Sequence, residues 1–195
     1  MKKYTIEPMN SDYEKKYNTL HGASFSSITS YQDQAEIAIT ALLSNLDGIK
    51  SALGREETWD DTTCSKLIES FDTSNTEVTN AQVAIQAKCP GAKSALEALR
   101  DKLDEYKNAY DAYKEAATSY NNTAGGEPVP KTQKKEIKNS EGEVIGSEDV
   151  ETDLHKHWSA ELNRKGPIAD DALAILQRVE GEVPAAITAA LGALS

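Results

Sequence analysis

Between residues 96 and 120 the apolar positions Leu96, Leu99, Leu103, Tyr106, Tyr110, Tyr113, Ala117 and Tyr120 recur at alternating steps of three and four without a miss. A strand alternates every second residue, so this spacing specifies an α-helix with one apolar stripe. A stripe of that length would be an association site if left in water, so it needs a covering surface. The tyrosines Tyr106, Tyr110, Tyr113 and Tyr120 place phenols along it. Two readings stay open for them: core packing with each hydroxyl at the rim, or a stripe that binds a partner.

A second amphipathic run lies upstream, where Ile28, Tyr31, Ala35, Ala38, Leu42, Leu46, Ile49 and Leu53 follow the same spacing. Gly54 stands where helices often end. After the connection 55–63, Leu67, Phe71, Ser74, Val78, Ala81, Ile85 and Cys89 resume the pattern. Its seam is diluted by Ser74 and by the Asn, Thr and Ser around it. Pro90-Gly91 predicts a kink or a break, because proline removes a helical donor and crowds the preceding turn.

These runs predict an all-α fold: a long antiparallel helical hairpin, kinked near Pro90, over residues 1–122. A short helix from about Asp12 to Leu20 precedes it, with Asn10, Ser11 and Asp12 as cap residues. Residues 123–150 read as a linker with a small β-hairpin. In it, Glu136-Ile137-Lys138 and Glu143-Val144-Ile145 flank a Gly-ended loop at 139–142. A lone hairpin is marginal in water, so it needs support or is mobile. Residues 151–195 read as short C-terminal helices packed on the hairpin. Gly166-Pro167 divides them, and Gly181 with Pro184 divides them again.

Charge narrows the partners. Thirty-two acids against 21 bases leave a net charge of −11, which repels phosphate backbones, so no nucleic acid is expected. The N-terminus follows its two lysines with no apolar run, and no stretch is apolar enough to span a bilayer. That predicts a chain either exported without a cleavable signal peptide or retained in the cytoplasm. On one unbroken helix Cys64 and Cys89 would lie about 37 Å apart and could not pair.

The candidates for chemistry are sparse. His155 and His157, with Glu161, suggest a metal site, but residues two apart on a helix point to different faces. Zinc requires three or four ligands, and no second cluster supplies them. The adjacent carboxylates Asp170 and Asp171 fit a helix N-terminus better than acid–base work. No phosphate loop or nucleophile elbow is present. The expectation is a chain with no catalytic residues, no cofactor and no metal.

The order helix, short turn containing Trp59, helix resembles the WXG family of type VII secretion substrates. In that family two helices fold back at a Trp-x-Gly turn. Here Trp59-Asp60-Asp61 is followed by Phe71 downstream, with Asp61 where the family has glycine. Asp can still cap the helix. The resemblance covers about residues 20–120. The family's tag, a tyrosine followed four residues later by an acid, is absent after Tyr106, Tyr110, Tyr113 and Tyr120. The resemblance implies a bacterial protein exported folded, as a homodimer or with a helical protein partner, and without enzymatic activity. Trp59, Asp61, Phe71 and the four tyrosines are the interaction residues it and the helix pattern single out. The rival expectations are a cytoplasmic or surface adaptor built on the same hairpin, and a toxin or enzyme active in the region from 134 onward.

Overall fold

A computed structural model describes residues 2–53 and 61–194, without the side chains of Leu53, Asp61 and Cys64. The elements run α1 (Ser11–Leu20), α2 (Ser26–Leu53), α3 (Asp61–Gly125), β1 (Thr132–Lys138), β2 (Val144–Glu151) and α4 (Asp153–Leu194). The fold is mostly α, with long helices packed side by side and one two-stranded antiparallel hairpin.

The chain divides into two units that interleave in sequence. Unit 1 holds residues 1–19 and 102–184, and unit 2 holds residues 20–101 and 185–195. The division falls inside α3 and inside α4.

α3 is continuous for 65 residues, with Pro90 inside it and no break at Pro90-Gly91. Both residues are exposed, and the inward positions Ile85, Cys89, Leu96 and Leu99 keep their phase across them. The proline ring therefore costs a backbone bond on the solvent side without disturbing the seam. α4 departs further from expectation, because the three short helices are one helix of 42 residues containing Pro167 and Pro184. Its buried residues Ala169, Leu176, Val179, Val183 and Ala190 stay in one helical phase. Their burial outweighs the roughly 3 kcal/mol that an internal proline costs.

Unit 1 carries the well-formed core. Leu103, Tyr106, Ala109, Tyr113, Ala117, Tyr120 and Ala124 of α3 are buried, together with Tyr4 and, from α4, Ala169, Leu176, Val179 and Val183. Lys102 pairs with Glu182 at 2.8 Å and Arg178 with Glu105 at 3.4 Å. At the other end Trp158 Nε1 donates to the Thr123 carbonyl at 2.7 Å. Low numbers on α3 thus meet high numbers on α4, which makes the two antiparallel. Asn10 caps α1 through its side-chain oxygen, which accepts from the Asp12 and Tyr13 amides.

The β-hairpin forms where predicted and extends further, pairing Thr132 with Glu151 through Lys138 with Val144. Its register shifts between Ile137 and Lys138. Gly142 sits at φ 86°, and Asn139 Oδ1 accepts from the amides of Glu141 and Glu143 across the loop.

Candidate interaction surface

In unit 2, which also takes in the end of α4, α2 and the first part of α3 lie antiparallel. Lys50 pairs with Asp72, and Asn75 Nδ2 donates to Asp47 Oδ1 at 3.0 Å. At the opposite end Arg100 reaches the Ala23 carbonyl at 3.5 Å and lies over the Phe25 ring. Ascending α2 therefore meets descending α3 along its length.

The half-buried positions define the seam. On α2 they include Ile28, Ala35, Ile39, Leu43 and Leu46, and on α3 Leu67, Phe71, Val78, Ile85, Cys89 and Leu96. The seam is only partly enclosed, and among the described residues of this unit only Leu99 and Ala190 are buried. Asn75 also lies on it, with its side-chain oxygen buried and unpartnered. Polar groups at seam positions cost stability and fix register.

The apolar arc of α2 is wider than the seam it fills. Tyr31 is 68% exposed, Leu42 46% and Ile49 47%, and Ala38 is exposed as well. These four lie in one line along the helix, about a quarter turn from the α3-facing positions. The single stripe predicted for α2 is in fact two adjacent faces. Ile28, Ala35 and Leu46 face α3, whereas Tyr31, Ala38, Leu42 and Ile49 face outward. Counting apolar residues at steps of three and four merges the two, and only the exposure separates them. The outward line is the surface best suited to a partner.

The other sequence-predicted residues fall in different places. Phe71 is half-buried on the seam. Trp59 lies outside the described residues, and Asp61 opens α3 with its side chain outside them. Tyr106, Tyr113 and Tyr120 are buried and Tyr110 half-buried, beneath the chain's own N-terminus. Residues 2–10 lie extended along α3, with Tyr113 donating to the Thr5 carbonyl and Tyr110 to the Glu7 carbonyl. The tyrosine stripe is thus filled from within this chain. No periodicity marked that segment, although a helix carrying four phenols and Asn121 advertises hydroxyl and amide partners to be found.

His155 stands apart from His157. Its ring lies between Glu151 and Glu127, the latter at 3.4 Å, and is tilted against Trp158 at 4.9 Å. Glu161 is engaged by Arg164 at 2.8 Å and by Lys165 at 3.6 Å. Among the described residues no three potential metal ligands converge. The hydrogen bond to Glu151 holds the His155 pKa above its ordinary value, burial opposing it and Glu127 adding to it. Glu127 is held below the usual carboxylate range, first by Lys131. A raised folded pKa means that the histidine contribution is complete below about 6.5 and is lost as pH rises through the folded value. The base of the β-hairpin is therefore expected to exchange its amides faster at pH 8 than at pH 6, after correction for intrinsic exchange. His155→Gln should flatten that difference, and equal protection at both pH values would contradict it.

Among the described residues no helix is long and apolar enough to cross a membrane. Comparisons with protein-family models, with curated proteins and with solved structures gave no match.

Proposed function

We propose that this chain is a non-enzymatic helical interaction protein of the WXG-like kind, a type VII-like secreted substrate or the escort of one. The observation that carries this reading is the outward line Tyr31, Ala38, Leu42 and Ile49 on a helical unit that buries little of itself. The partner it fits is another helix with an apolar line, and a second copy of this chain supplies one. Laid antiparallel on its own twofold mate, the line places Tyr31 opposite Ile49 and Ala38 opposite Leu42. Large residues then meet smaller ones, as interdigitated packing requires. Asp33 and Asp47, which the same register would oppose, lie on the far side of the helix from this line.

The export half of the reading is tested in culture supernatant, with a cytoplasmic marker to exclude lysis. The intact protein is expected there. Trp59→Ala is expected to reduce the exported amount at least tenfold while far-UV circular dichroism stays unchanged. A protein confined to cells would remove the secretion reading and leave a cytoplasmic adaptor. If Trp59→Ala instead melts the helices, Trp59 serves packing rather than recognition.

A further inference from the structure

Residues 2–10 have the form of a bound peptide. Asn121 of α3 clamps Tyr4 through both main-chain groups, accepting from its amide at 3.1 Å and donating to its carbonyl at 2.8 Å. Tyr113 donates to the Thr5 carbonyl at 2.7 Å, Tyr110 to the Glu7 carbonyl at 3.1 Å, and the Asn10 amide donates to the Tyr106 hydroxyl at 3.3 Å. Six residues of extended chain cover about 20 Å, close to the 22 Å or so between positions 106 and 121 of a helix. The match explains how main-chain groups on the segment stay in step with side chains on α3.

Two side chains add selectivity. The Tyr4 ring is buried edge-on against Tyr120, with centroids 4.9 Å apart. Its hydroxyl lies 2.8 Å from Asp170 Oδ1 and 2.9 Å from the Gly166 carbonyl oxygen. Lys2 pairs with Asp170 and sits over the Tyr4 ring at 4.6 Å. A cation two residues before a tyrosine therefore meets an acid at the mouth of an aromatic pocket. The remaining contacts read main chain and would accept other side chains.

We infer that the groove between α3 and α4 is an exchangeable peptide-docking site, filled here by the tethered N-terminal arm and able to take the same arm from a second copy. The arm's contacts all lie in unit 1, as does nearly all of α1 that follows it, and the chain passes into α2 of unit 2 only after the link at 21–25. The link at 21–25 contains Gly22 at φ 72°, a conformation that favours glycine. Elements joined through such links are those that protomers exchange, here the arm together with α1. The tethered copy competes at an effective concentration of about millimolar, so exchange shows itself once the tethered arm is weakened. This site is distinct from the α2 line, and the two are tested separately.

The test uses the full chain and a labelled synthetic peptide with the sequence of residues 2–10, followed by fluorescence anisotropy. The peptide stands for the arm of a second copy. Tyr4→Ala in the protein is expected to bind it at least tenfold more tightly than the parent chain, whose own arm competes. Adding Asn121→Ala to that variant should abolish the gain, and a peptide carrying Tyr4→Ala should not bind. Lys2→Glu, an exposed change that leaves the core intact, should shift binding in the same direction by a smaller factor. If Tyr4→Ala loses its helical signal, Lys2→Glu decides alone. Equal binding to the parent and to the weakened-arm variant that remains folded, or binding indifferent to Asn121, would overturn the inference.

Discussion

Leu103→Ala is expected to lower the unfolding free energy by about 3 kcal/mol, within the range for a fully buried leucine truncated to alanine. Leu103 is 0% exposed. The ion pairs from Lys102 to Glu182 and from Glu105 to Arg178 place residues 178–182 of α4 beside its turn. The fully buried Val179 and Val183 therefore lie in the same layer. Removing the isobutyl group opens a void between two helices pinned by charged pairs on their rims, so the layer cannot readily collapse. The pairs themselves are partly exposed and contribute little individually. Urea denaturation checks this, with a midpoint about 1–2 M lower at unchanged slope. A loss below about 1 kcal/mol would mean that unit 1 lacks the packed core described above.

Leu42→Asp is expected to do the reverse, leaving stability nearly untouched while removing association. Leu42 is already 46% exposed, so the substitution opens no cavity and traps no charge in the free chain. The effect on unfolding should stay within about 0.5 kcal/mol. In the proposed twofold contact, however, Leu42 would face Ala38 of the mate, where a carboxylate would be desolvated without a partner. An unpaired buried polar group costs about 1–3 kcal/mol and a charge more, so each of the two symmetry-related copies adds to the loss. Association is expected to weaken at least a hundredfold, read by light scattering across a dilution series. Ile39→Asp is the opposing control: it lies on the α3 seam and should destabilise the unit itself.

The helix of residues 96–120 was legible because nothing interrupts its stripe and because its apolar residues serve a single face. The β-hairpin was legible through Asn139 and Gly142, whose side-chain bonds and positive φ fix the loop locally. α4 was divided too finely because Gly166-Pro167 and Gly181 outweighed a phase that runs through them unbroken. That phase depends on packing against α3, which is a long-range property. In α2 the stripe at steps of three and four includes Ile28, Ala35 and Leu46 but misses the seam residues Ile39 and Leu43, and the division between the seam inside and Tyr31, Ala38, Leu42 and Ile49 outside depends on which side α3 occupies. The N-terminal arm was least legible, because its bonds to Asn121, Tyr113 and Tyr110 engage backbone groups that every residue has.

Sedimentation equilibrium on the parent chain tests the association surface most directly. A dimer that dissociates on dilution, and is absent in Leu42→Asp at unchanged helicity, is the predicted result. A parent chain that stays monomeric to about 1 mM would leave less than about 4 kcal/mol for the contact and contradict the assignment of this line as a self-association surface.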